Sequence, residues 1–169
     1  MDDVNIKDYN LYQLRKKIGF ISKEPYIMKS SFLENIRYGN LEATDEECFS
    51  AAQKVGITQD KINEVIDPKK LSLEEKQKIS IARIFLKNPN ILFLDDVTSS
   101  VDKNSELEFQ NILDNLSENK TCINITNNLN SVQKCDKILM LDNGRLVEQS
   151  TREELMKLGK RYYIWDKYK

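Results

Sequence analysis

Residues 71–102 read LSLEEKQKISIARIFLKNPNILFLDDVTSSVD, and they carry a helix, a break, a strand and an acidic strand end. Ser72 with Glu75 three residues on is a capping box, in which hydroxyl and carboxylate each accept from the other's backbone N–H. Ile79, Ala82 and Leu86 recur at helical spacing, and Ile81, Ile84 and Phe85 widen the apolar face. Asn88 and Pro89 stop the helix. Ile91 to Leu94 is then a short unbroken apolar run, the pattern of a strand covered on both faces. It ends in Asp95 and Asp96. Open parallel sheets bind ligands at the carboxyl ends of their strands, and two carboxylates there can hold Mg²⁺ and orient a water. An apolar strand ending in two acids is, taken alone, just as well explained as ordinary solvated surface.

The chain has 169 residues, of which 40% are hydrophobic and 31% charged, a composition that suits one soluble domain with a real core. Lys and Arg number 26 against 27 Asp and Glu, so no global basic field points to nucleic acid or to a membrane surface. No apolar run approaches a membrane span and no secretory leader is visible, so direct membrane insertion of this segment is not expected. Histidine is absent, which removes any His base, His ligand or His-containing triad from this chain. Cys48, Cys122 and Cys135 lack metal-ligand spacing and are expected to be buried, reduced thiols.

Further along the chain the same signals recur. Asn10 with Gln13 predicts a helix carrying Leu11 and Leu14, and Ile18 to Ser22 reads as a buried strand followed by a turn at Lys23-Glu24-Pro25. Ser31 with Glu34 predicts a short helix closed by Gly39, and Thr44 with Glu47 one whose inner face is Cys48, Ala51, Ala52 and Val55. Phe109, Ile112, Leu113 and Leu116 mark a helix face, and Thr121 to Thr126 a strand. Asn143-Gly144 between two apolar runs predicts a hairpin. Thr151 with Glu154 predicts a last helix ended by Gly159.

The stretch 71–102 resembles the signature-helix, Walker B and D-loop block of ATP-binding-cassette (ABC) ATPases of the exporter, multidrug-resistance-like type. Gln77, Ala82, Arg83, Pro89, Ile91, Leu92, Leu94, Asp95, Thr98, Ser99 and Asp102 fall in register with that family's pattern. Upstream, Asp8, Leu14, Arg15, Ile18, Gly19, Ser22, Glu24, Pro25, Glu34, Asn35, Ile36 and Gly39 match the segment around its Q-loop. The resemblance implies an α/β fold of the P-loop NTPase type, a mainly parallel sheet flanked by helices with a shortened helical subdomain. It implies one partial nucleotide-binding domain over 1–169, with a Q-loop region at 1–40 and a helical subdomain with the signature helix at 41–88. Walker B, D-loop, switch region and a C-terminal hairpin and helix would then fill 89–169. It also implies ATP and Mg²⁺ as cofactors, a second cassette and transmembrane domains as partners, and a place at the cytoplasmic face of a membrane.

Several positions depart from the family. No G-x-x-x-x-G-K-[ST] phosphate cradle occurs among these residues, so this chain alone is expected neither to bind ATP appreciably nor to hydrolyse it. The resemblance makes Asp95 the Mg²⁺-associated aspartate, with Asp96 in place of the glutamate that polarises water and Asn127 in place of the switch histidine. It makes Lys23 the counterpart of the Q-loop glutamine, and puts Ser72 and Asp102 at nucleotide-facing signature and D-loop positions. The signature glycines are replaced by Leu73 and Glu74, and its glutamine by Glu75. Carboxylates there take up the helix-end potential that a phosphate would otherwise use. Blander roles stand beside each: Ser72 as a helix cap, Lys23 as a solvated side chain, Asp96 and Asn127 as polar surface, and Tyr162, Tyr163 and Trp165 as packing. The expected function is a degenerate exporter cassette, with two alternatives: a slow but genuine ATPase once an N-terminal Walker A part is present, and a non-enzymatic interaction module that retains only the fold. Because the family's cradle-bearing strand is expected between the counterparts of Ile91–Leu94 and Thr121–Ile125, a gap in the sheet is also expected. It would be closed by direct pairing, by exchange between chains or by a separate fragment, making the isolated chain an exchanged dimer or a rearranged fold.

Overall fold

The computed structural model describes residues 3–99, 101–102 and 105–168. The chain forms two compact units, Met1–Ile125 and Thr126–Lys169, and each is described by itself.

In the first unit, α1 (Leu11–Lys17) starts where the Asn10 side chain accepts from the N–H groups of Tyr12 and Gln13. It runs straight into β1 (Ile18–Ile21). The short helix α2 (Phe32–Arg37) is capped by Ser31, and α3 (Asp45–Gln53) begins with the complete Thr44–Glu47 box. The long helix α4 (Leu73–Lys87) has the complete Ser72–Glu75 box at its start. It ends where Asn88 turns left-handed at φ 46°, a conformation asparagine tolerates better than most residues. Strand β2 (Ile91–Asp95), helix α5 (Glu106–Ser117) and strand β3 (Thr121–Ile125) complete the unit.

The three strands form a parallel sheet in the order β1-β2-β3. Ile91 pairs with Thr121 and the register continues to Asp95 opposite Ile125. These two strands are direct hydrogen-bonded neighbours, the first of the three expected closures, and no gap separates them. Among the described residues neither the outer edge of β1 nor that of β3 pairs with a further strand.

The two faces of this sheet differ. Ile21, Leu92 and Leu94 are buried in one core with Ile79, Ile81 and Ile84 of α4 and Phe109, Leu113 and Leu116 of α5. On the other face Phe20, Ile123 and Ile125 are 58%, 47% and 59% exposed, and Phe93 is half-buried. The expectation of strands covered on both faces thus holds for one face only. Unbroken apolar runs in the sequence do not reveal which face is covered. Of the cysteines only Cys48 is buried, while Cys135 is half-buried and Cys122 exposed, which corrects the expectation for two of the three.

In the second unit β4 (Ile138–Asp142) and β5 (Arg145–Ser150) form an antiparallel hairpin. Its turn places Asn143 at φ 47° and Gly144 at φ 73°, the two left-handed positions that a twisted two-residue hairpin demands. Helix α6 (Arg152–Leu158) is capped by Thr151 and ended by Gly159 at φ 63°. A further helix, α7 (Arg161–Tyr168), follows where the sequence reading had ended the structure. Tyr162 is fully buried beside Leu155, Val132 and Ile138, with Trp165 edge-on at 6.1 Å, so this aromatic segment packs as expected.

Candidate functional site

The site that the fold presents lies at the carboxyl end of β2, after Asp95. The chain turns sharply there, with Asp96 left-handed at φ 52° and its N–H donated to the Ile125 carbonyl at 2.7 Å. This aims the Asp96 carboxylate away from the line of the strand. Lys23, on the loop after β1, donates its Nζ to Asp96 Oδ2 at 2.7 Å. The pair is partly open to solvent, with side-chain exposures of 56% for Lys23 and 18% for Asp96. The hydrogen bond and charge of Asp96 hold the Lys23 ammonium above its ordinary pKa of 10.5, with a smaller contribution from Asp95. Lys23 is therefore a cation throughout the neutral range, and it is held by a partner across the sheet.

Two buried oxygens at this end, Asp96 Oδ1 and Thr98 Oγ1, have no hydrogen-bond partner among the described residues. Ser99 Oγ donates to the Asp96 carbonyl and tightens the turn. Asp102 accepts from the Ser105 N–H at 3.2 Å and from its hydroxyl at 3.0 Å, so its carboxylate shapes the approach to α5.

The loop that carries Lys23 is gripped from α4. Gln77, fully buried, donates from Nε2 to the carbonyls of Ser22 at 3.0 Å and Lys23 at 2.7 Å. Sequence matching placed Gln77 in register but left it without a role. Its place on the apolar face of α4 was the available signal, since a buried amide must find partners.

Ser72 is fully engaged as a cap. Its Oγ accepts from the Glu75 N–H at 3.1 Å, and Glu75 accepts from the Ser72 N–H at 2.8 Å. Glu74 pairs with Lys78 at 2.9 Å, one turn further along the helix. The start of α4 thus supplies its own anions. Asn127 is exposed and belongs to the second unit.

A second polar cluster in the first unit is built around Arg83. Its Nε donates to the Asn35 carbonyl at 2.7 Å, one terminal nitrogen to the Tyr26 carbonyl at 2.7 Å, and the other to Asn35 Oδ1 at 2.8 Å. Asn35, itself buried, also accepts from the Met28 N–H and donates to the carbonyls of Met28 and Ser31. Burial pulls the Arg83 pKa below its usual value. Beside this cluster an open groove is lined by Phe20, Pro25, Tyr26, Tyr38 and Arg83.

A parallel sheet, an acidic strand end and a capped helix beside it make an α/β domain whose likeness to a solved ABC exporter places it in the P-loop ATPase fold class. The chain belongs to the ABC transporter family, whose family model matches residues 1–99. It is 36% identical to ABC transporter B family member 24, mitochondrial, of Arabidopsis thaliana, across 98% of this chain and 26% of that protein. It is 40% identical to ABC transporter B family member 4 of Dictyostelium discoideum, across 96% of this chain and 22% of that one. It is 34% identical to Multidrug resistance protein 1 of Entamoeba histolytica, across 96% of this chain and 13% of that one. The solved structure of a bacterial Atm1-family ABC exporter with ATP bound matches 97% of this chain and 30% of its own, at 28% identity and a TM-score of 0.89. The chain is a nucleotide-binding domain of the exporter type, and it spans about a quarter or less of the length of these curated relatives. So extensive a likeness also excludes the rearranged fold expected from the sequence.

Proposed function

We propose that this chain acts as a degenerate cassette of an ABC exporter, coupling ATP binding and hydrolysis at a partner cassette to movement of transmembrane domains. The observation that carries this reading is the Lys23–Asp96 ion pair at the strand end. Asp96 already stands one methylene short of the glutamate that the family uses to polarise water, and in phosphoryl transfer positioning is most of the catalysis. With Lys23 on Oδ2, that carboxylate is engaged by a protein cation. The start of α4, where the family presents glycine N–H groups to a nucleotide across a dimer, is closed by Glu75 and flanked by Glu74.

The proposal keeps the division into a Q-loop region at 1–40, a helical subdomain with signature helix at 41–88, and the remaining motifs at 89–169. ATP and Mg²⁺ are then handled chiefly by the partner cassette, and the assembly sits at the cytoplasmic face of a membrane. Among the described residues no helix is long and apolar enough to cross one. The groove beside Tyr26 and Tyr38, 80% and 65% exposed, supports a seat for an element of the membrane domains. Titrating the 169-residue chain with labelled ATP–Mg²⁺ tests the reading. No saturable binding is expected, and a micromolar Kd would contradict it.

A slow ATPase is the second reading. Asp96 is still a carboxylate, and its Oδ1 has no hydrogen-bond partner among the described residues. It predicts that ATP binding and slow turnover appear once a Walker A part is joined to these residues.

A further inference from the structure

The strand end disagrees with the divalent cation that the family implies. A metal site there needs free carboxylate oxygens and no competing cation. Next to Asp95, the counterpart of the metal-associated aspartate, Asp96 Oδ2 is occupied by the Lys23 ammonium at 2.7 Å and Oδ1 is buried, and the charge of that ammonium also acts on Asp95. A lysine side chain has many rotamers and normally stays in water, so a specific ion pair at a half-open site needs its backbone held. The hold is visible. Gln77, buried on α4, donates to the carbonyls of Ser22 and Lys23, the residues from which the side chain departs. Its own Oε1 accepts nothing among the described residues, so the hydrogen bonds this amide makes there go to the loop. Pro25, also buried, fixes the chain two residues further on.

We propose that Lys23 is an internal cation that neutralises the end of β2 in place of a divalent metal, and that Gln77 is the positioning residue that aims it at Asp96. The loop after β1 and the first turns of α4 are thereby tied to the strand end through one side chain. This deepens the proposed reading, which rests on the same ion pair, and its metal-exclusion and positioning claims are read from observables other than nucleotide binding.

The experiment uses the ¹⁵N-labelled 169-residue chain and two readouts, the lysine ammonium spectrum and the broadening of backbone amides by MnCl₂ alone. One slowly exchanging ammonium signal is expected, assigned to Lys23 by its loss in Lys23→Gln. It should vanish also in Asp96→Asn and in Gln77→Met, whose amide spectra report whether the fold is kept. A purely structural Gln77 would leave that signal in place. Mn²⁺ should broaden the amides of Asp95 to Val97 in Lys23→Gln at concentrations at least about tenfold lower than in the wild type, because a neighbouring like charge has been removed. Equal behaviour of the two proteins toward Mn²⁺, broadened or not, would overturn the claim that the ammonium excludes the metal. An ammonium signal unchanged in a folded Gln77→Met would overturn the positioning role. Should Gln77→Met not fold, the wild-type and Lys23→Gln comparison still decides whether the internal cation exists.

Discussion

Arg83 and Lys23 are two cations in the same unit, each reaching across long stretches of sequence to hold oxygen atoms, and they do different work. Arg83 is desolvated and spends its guanidinium on two main-chain carbonyls and the Asn35 amide, joining α2, α4 and the loop after β1. Lys23 is largely exposed, and among the described residues its side chain makes one hydrogen bond, to a carboxylate at a strand end where two oxygens have no partner. The first arrangement is a satisfied network whose loss strands several buried groups. The second contributes little to holding the fold and much to the local charge. Residues in register with the family, such as Asn35 and Arg83, sit in the first. Residues that depart from it, such as Lys23 and Asp96, sit in the second. On the proposed reading, the difference teaches that this chain keeps the framework of its family while changing residues at the strand end.

That contrast can be broken by substitution. Arg83→Met should be the most damaging change, because it leaves the Asn35 and Tyr26 carbonyls without their donors. A loss of roughly 2–3 kcal/mol is expected from hydrogen bonds to a charged group, read as a lower midpoint in urea unfolding. Gly39→Ala should cost about 1–3 kcal/mol, since a Cβ at Gly39 would run into the main-chain carbonyl of Arg83, which cannot move aside without disturbing α4. Ser72→Ala removes one half of a closed capping box and should cost about 1 kcal/mol by the same measurement. Returning Leu73 and Glu74 to glycine and Glu75 to glutamine should also lower the thermal midpoint, by up to roughly 1 kcal/mol per glycine and less so near a helix end. A clear gain in stability would mean that the altered signature does not serve the helix. Lys23→Gln should be the mildest change. The unfolding midpoint should stay where it is, and a large fall would show that the ion pair belongs with the framework after all.

Much of the framework was legible because it is local. Ser72 with Glu75 and Thr44 with Glu47 close as complete boxes, Asn88 takes the left-handed stop, and Asn143-Gly144 makes the hairpin. Each depends on residues a few positions apart, where backbone stereochemistry leaves few choices. What was not legible is long-range or environmental. That Lys23 meets Asp96 follows from strand register, which no local pattern encodes. Phe20, Ile123 and Ile125 belong to apolar runs, yet lie on the uncovered face of the sheet. Helix α7 was missed because Gly159 reads as an end, although a left-handed glycine is equally a joint between two helices. Of the candidate site, the acidic strand end was legible in the sequence and the cation seated on it was not.

The central claim is that this cassette supports transport without performing the chemistry at its own strand end. The most direct test is the ATP turnover of the assembled exporter carrying this chain with Asp96→Asn. The account predicts turnover within about twofold of the wild type, because Asp96 is engaged by Lys23 and does not act on water. A loss of two orders of magnitude or more, the scale expected when a general base is removed, would contradict it.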